Sequence, residues 1–199
     1  KTNEDKELII FMPGLGGDIE NFKWIGNELS KRGWPIVFID HMGSNLQTFT
    51  DVIEGNEAIP ESTDFFLYRI NDLDAVLNAH INNEFGLAND SYILMGHSLG
   101  ALIALLYEGQ KPTDKLAEIC NSALKDFALT NLSKLLQCQL IEIKFPKKNN
   151  SKRASAIIGF NSFGSLVWQK ENSSGINIPT LLIGGTYDLI TPLMNEQFR

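Results

Sequence analysis

The pentapeptide Gly96-His97-Ser98-Leu99-Gly100 follows the apolar run Tyr92–Met95 and precedes the apolar run Ala101–Tyr107. The first run reads as a strand buried on both faces, and the second as a helix. The chain therefore has to turn sharply between them at the carboxyl end of a strand. Glycines at 96 and 100 leave room for such a turn and for close packing of helix on strand. A strand–turn–helix unit of this kind belongs in a parallel sheet covered by helices.

The rest of the chain repeats the alternation. Glu7–Met12 is a short apolar strand stopped by Pro13-Gly14. Asp18 is placed to cap a helix whose apolar positions are Ile19, Phe22, Ile25 and Leu29, ended by Lys31-Arg32-Gly33. Pro35–Asp40 is a second buried strand. His41–Thr63 reads as a long loop with one helical turn. From Asp64 a helix carries the stripe Phe66, Ile70, Leu73, Leu77 and Ile81. Thr113–Cys138 reads as one or two helices, Ala154–Phe160 as a fourth strand, Asn161–Asn177 as a loop, and Pro179–Ile183 as a fifth strand. The expected fold is α/β, with a mostly parallel central sheet, helices on both faces and a small helical cap insertion at about 113–148. Residues 1–199 show no repeat and no dividing linker, and are expected to form a single domain.

Charge and cysteine usage narrow the function. The net charge of −7 excludes the basic field that a nucleic-acid surface needs. The basic cluster Lys147, Lys148, Lys152 and Arg153 lies among Asn and Ser and reads as a solvated loop. No apolar stretch reaches the length of an integral membrane span. Cys120 and Cys138 have no metal-site spacing and are expected to be reduced, partly buried thiols. That expectation favours a reducing, cytoplasmic compartment. The chain opens at Lys1 rather than Met, so an upstream export signal stays open.

Three segments carry chemistry. Ser98, on its strained turn with a helix N-terminus behind it, is the candidate nucleophile. Acyl transfer also needs two backbone N–H groups aimed at the developing oxyanion. Leu99, just after the nucleophile, supplies one. The loop Pro13-Gly14-Leu15-Gly16-Gly17 supplies the other, at Leu15. That loop is not a dinucleotide fingerprint, because Ile19 stands where the third glycine belongs, and no Lys-Ser/Thr pair makes it a P-loop. Asp188, just beyond the fifth strand, is the candidate acid that orients a histidine. The sequence holds three histidines, His41, His80 and His97, and none follows Asp188. His97 is expected to point away from the nucleophile and His80 to be a surface or boundary residue. His41, Phe163 and Trp168 are further candidates for lining the pocket. No metal and no organic cofactor is expected.

With these residues in hand, the chain resembles the α/β-hydrolase superfamily. Within it, the chain resembles the predicted dienelactone hydrolases of bacteria, the cyanobacterial ones especially, and is more distantly similar to platelet-activating-factor acetylhydrolases and cutinase-like polyester hydrolases. The stretches that carry the resemblance are M-P-G-L-G-G (12–17), F-I-D-H-M-G-S-N (38–45), M-G-H-S-L-G-A (95–101), N-L-S-K-L-L-Q-C (131–138), G-F-N-S-F-G-S-L (159–166) and I-P-T-L-L-I-G-G-T-Y-D-L-I-T-P (178–192). The resemblance implies Ser98 as nucleophile, Asp188 as triad acid, and Leu15 and Leu99 as oxyanion-hole amides. It also implies a further strand and a loop bearing the catalytic histidine after Asp188, so that the domain is expected to be truncated here. It does not imply a dienelactone substrate, since true dienelactone hydrolases use a cysteine where this chain has Ser98. The reading is a serine esterase acting on small-molecule or lipid-like esters. The alternatives are a non-catalytic binding module, or a thioesterase or peptidase, on the same fold.

Overall fold

The structure is a computed structural model and describes residues 6–58, 64–125, 132–144, 152–168 and 177–197. Its centre is a five-stranded sheet in the order β2-β1-β3-β4-β5, with every neighbouring pair parallel. The strands are β1 (Leu8–Met12), β2 (Ile36–Phe38), β3 (Tyr92–His97), β4 (Ala156–Phe160) and β5 (Thr180–Ile183). The helices are α1 (Lys23–Lys31), α2 (Leu46–Ile53), α3 (Asp64–Ile81), α4 (Leu99–Tyr107), α5 (Leu116–Ala123), α6 (Leu132–Cys138) and the short α7 (Leu193–Glu196).

The period of two along β1 divides the core. Leu8, Ile10 and Met12 face α3 and α4 in the larger cluster, around Leu73, Leu77, Leu102 and Ile103. Ile9 and Phe11 face the other way, onto Ile25 of α1 and Met95. Alternate side chains leave opposite faces of a strand, so a run that is apolar throughout demands cover on both sides. α4 is buried along its whole length, which explains why its sequence has no polar face.

The chain runs from β1 out to β2 on one side and returns to place β3 on the other side of β1. Strand order therefore reverses between β1 and β3. In open parallel sheets the crevice beyond such a reversal is where ligands bind. The loop after β1 and the turn after β3 meet there, held in register by the pairing of Met12 with Gly96.

Several local expectations are corrected. Asp18 caps a 3-10 turn, Ile19–Phe22, accepting from the Glu20 N–H at 2.9 Å, and the α-helix begins only at Lys23. The segment expected to be loop contains the two-turn helix α2. Asn45 caps it by accepting from the Thr48 N–H at 3.0 Å, a local signal that the polar composition of 41–63 obscured. β2, expected to be buried, is only half-buried because it forms one edge of the sheet, and at the other edge Leu181, Leu182 and Ile183 of β5 are exposed.

Cys120 and Cys138 are joined in a disulfide with Cα atoms 5.7 Å apart, not reduced. Sequence spacing could not reveal this, because the pairing arises only when α5 packs against α6. The bond removes the ground on which a cytoplasmic location was expected. The expected cap region holds α5 and α6, and its residues 126–131 and 145–148 lie outside the described residues, as do Lys147 and Lys148 of the basic cluster. Among the described residues, no helix is long and apolar enough to cross a membrane.

Candidate active site

Ser98 joins β3 to α4 with φ 51° and ψ −117°, a region that residues with a Cβ rarely adopt. The turn is fixed from both sides. The Ser98 N–H donates to the Phe160 carbonyl of β4 at 2.8 Å, and the Ser98 carbonyl accepts from the N–H groups of Ala101 and Leu102. Its hydroxyl makes no capping bond to α4. A Cβ on Gly96 would lie 2.4 Å from the Gly100 carbonyl carbon, and one on Gly100 would lie 2.0 Å from the Met12 carbonyl oxygen. Both glycines of the pentapeptide are therefore dictated by backbone atoms.

Ser98 opens into a cavity of about 500 Å³ whose lining includes Gly14, Leu15, His97, Leu136 and Asp188. The structure thus brings together Ser98, Asp188 and Leu15. Leu99 is fully buried as the first residue of α4, so its N–H stands at the positive end of a helix. Among the described residues, no hydrogen-bond acceptor serves the N–H of either Leu15 or Leu99. Leu136 comes from α6, so the cap region reaches the cavity, and Phe22, Phe49 and Ile190 complete its apolar wall.

Asp188 sits in a loop after β5 and is held from several sides. Its Oδ1 accepts from the N–H groups of Ile190 (2.8 Å) and Thr191 (2.9 Å). Its Oδ2 accepts from the Thr191 hydroxyl (2.7 Å) and the Asn161 amide (2.5 Å). Burial pushes this carboxyl upward, but the Thr191 and Ile190 donors outweigh it and hold the group below the usual carboxylate range. Asp188 is ionised at neutral pH.

The other expectations fare differently. His41 does not line the cavity. It is buried behind the loop after β1, with Nδ1 2.9 Å from Asp72 Oδ2. Burial and the nearby Arg69 charge lower its pKa against the pull of Asp72. Phe163 belongs to the core and Trp168 packs against it, so neither lines the cavity. His80 is buried rather than at the surface or its boundary, its Nε2 3.2 Å from the Ser91 carbonyl oxygen. His97 does not point away: it lines the cavity, its ring centroid 5.3 Å from that of Phe22. Burial lowers its pKa, and the Asp188 charge opposes that shift.

Sequence reading missed Asn161, Thr191 and Arg69. Asn161 ends β4 with φ 46°, accepts from the Gly185 N–H at 2.9 Å and donates to Asp188, tying two strand ends together. Thr191 carried a signal, since a Thr three residues after an Asp in a turn can close on it. Arg69 carried one too, because it interrupts the buried face that Phe65, Phe66 and Leu73 mark on α3.

A parallel sheet with a strained serine turn at its switch point and an acidic loop beyond a later strand defines an α/β hydrolase. Residues 3–155 match the Hydrolase_4 family (serine aminopeptidase, S33), and the chain belongs to that family. The match includes Leu15 and Ser98 and ends before Asp188. A Mycoplasma genitalium protein named "Putative esterase/lipase 2" is 26% identical over 226 residues, covering 96% of this chain and 75% of that one. The crystal structure of TT1662 from Thermus thermophilus superposes with a TM-score of 0.51 at 17% identity, covering 97% of this chain and 71% of that one. An acetyl xylan esterase structure reaches a TM-score of 0.46 at 11% identity, covering 91% and 83%.

Proposed function

We propose that the protein is a serine hydrolase that cleaves carboxylic esters by two-step acyl transfer through Ser98. The Ser98 oxygen bonds to the ester carbonyl carbon while its proton passes to a histidine acting as general base. The oxyanion is held by the Leu15 and Leu99 N–H groups. Collapse expels the alcohol, which takes the proton from the same histidine. Water then attacks the acyl-serine and releases the acid. Asp188 orients that histidine and stabilises its charged form.

The observation that carries this reading is Ser98 at φ 51° over a cavity that Leu15 and Asp188 also line. A strained serine costs on the order of 1–3 kcal/mol, and such strain concentrates at functional sites. The match to the Mycoplasma genitalium protein and the apolar wall of the cavity support an ester over a charged substrate. The family description names an aminopeptidase. The same triad cleaves amides, so ester and aminoacyl-amide substrates are to be compared side by side.

The test is reaction of the full-length protein with a fluorophosphonate, read by intact mass, with Ser98→Ala as control. One adduct on Ser98, lost in the variant, is expected. No adduct, or an adduct that survives Ser98→Ala, overturns the reading.

A further inference from the structure

Arg69 projects from α3 into the space beneath the loop that follows β1 and is 1% exposed. Its guanidinium makes no ion pair among the described residues. Every contact that it makes there is to an oxygen of two loops. Nη1 donates to the Pro13 carbonyl at 2.6 Å, and Nη2 donates to the Gly14 carbonyl at 2.8 Å. Nε donates to the Ser44 hydroxyl at 2.8 Å, and Nη2 also to the Ser44 carbonyl at 3.2 Å. Burial lowers its pKa to about 9 while Asp72 and Asp40 raise it, so it is a cation at neutral pH.

Burying a cation is costly, and a fold does not need one merely to close a loop. The Gly14–Leu15 peptide suggests what it is for. A trans peptide is planar, so its C=O and N–H point in opposite directions. Turning the Gly14 carbonyl down onto Arg69 therefore turns the Leu15 N–H up, away from the core and toward the cavity that Leu15 shares with Ser98. The Gly17 N–H also donates to the Gly14 carbonyl at 3.1 Å, so both lone pairs of that oxygen are engaged and the peptide cannot rotate freely. Ser44 completes the clamp, because its carbonyl accepts from the Gly16 N–H at 2.9 Å as well as from Arg69. A charged donor on the carbonyl also polarises the peptide and makes its N–H a stronger donor.

We infer that Arg69 is the positioning residue of the oxyanion hole, a buried cation that orients and polarises the Gly14–Leu15 peptide so that the Leu15 N–H meets the oxyanion formed at Ser98. This rests on the acyl-transfer reading of Ser98. Arg69 touches no substrate and acts only through the peptide. Two coplanar donors on consecutive carbonyls require a guanidinium, and the single ammonium of Lys cannot reproduce them.

The test uses p-nitrophenyl acetate hydrolysis by the full-length protein, normalised to active sites titrated with fluorophosphonate. Arg69→Lys and Arg69→Met are expected to lower kcat by about 10- to 100-fold, toward the loss seen when an oxyanion donor is removed, with KM changed by no more than about 3-fold. Affinity for a boronic acid, which forms a tetrahedral adduct on Ser98, is expected to fall in parallel with kcat. A purely structural role would instead reduce the number of titratable sites and leave the rate per site unchanged, and that result would overturn the inference. Should both variants fail to fold, Ser44→Ala leaves the Nη bonds of Arg69 in place and removes the partner of Nε, together with the hydroxyl's bond to the His41 carbonyl. It is expected to lower kcat per site by about 10-fold, the low end for one hydrogen bond to a charged group, and an unchanged kcat overturns the inference. An inactive, unlabelled wild-type protein would instead sink the acyl-transfer reading and this one with it.

Discussion

Replacing Gly100 with alanine tests the packing of the serine turn directly. The added Cβ would lie 2.0 Å from the Met12 carbonyl oxygen, 2.6 Å from its carbon and 2.8 Å from the Pro13 carbonyl oxygen. A carbon next to a carbonyl oxygen settles at roughly 3.3 Å, so β1 and α4 must separate by about 1.3 Å. Neither can yield cheaply. β1 is hydrogen-bonded to β2 on one side and β3 on the other, and α4 is buried throughout. Overpacking typically costs about 1–3 kcal/mol, and the upper end applies because every atom struck is backbone. For a domain of this size that is a fall in Tm of about 6–12 °C. The same movement displaces Pro13 and the Leu15 loop from Ser98, and a misplacement of about 1 Å costs on the order of 100-fold in rate. Calorimetry would read the first effect, and the second-order rate of fluorophosphonate labelling of Ser98 the second. A Gly100→Ala protein that melts within about 2 °C of wild type and labels at the wild-type rate would refute the account of the turn.

Three further outcomes are expected. Asp188→Asn keeps acceptors for the Ile190 and Thr191 N–H groups but sets an NH₂ against the Asn161 amide, so kcat of the full-length protein should fall by about 10⁴-fold, measured on p-nitrophenyl acetate. The Asp188 carboxyl is held low in the folded state, so its stabilising contribution is complete above the ordinary carboxylate pKa, near 3.9, and is lost as pH falls through the lower folded value. Urea titrations below about pH 4 should therefore show a shallower acid loss in Asp188→Asn than in wild type. Reducing the Cys120–Cys138 bond, which spans 18 residues, should cost up to about 3 kcal/mol. Tm in a reductant should fall to that of the Cys120→Ser, Cys138→Ser double variant, and equal melting with and without reductant would show that the bond does not contribute.

Much of the site was legible because the constraints on it are local. A strand, a turn of five residues and a helix follow one another in the chain, and Gly96 is required by backbone of Gly100 and Ala101 within that unit, whereas Gly100 is required by Met12 and Pro13 at the end of the neighbouring strand. Apolar runs without alternation pointed to strands buried on both faces, and for β1 and β3 they are. The same signal misled at β2, because Ile36–Phe38 is as apolar as a central strand while its burial depends on what lies beside it in the sheet.

The amino-acid sequence by itself thus determined the α/β alternation, the serine turn and the acidic loop, since each follows from the residue types of one continuous segment. The tertiary structure alone decided which segments meet. It sent His41 behind the loop after β1 and turned His97 into the cavity, paired Cys120 with Cys138, and placed Asn161 against Asp188 and Arg69 under the Gly14–Leu15 peptide. The physical reason is that these contacts join residues far apart in the chain, through strand order and helix packing that no local pattern encodes.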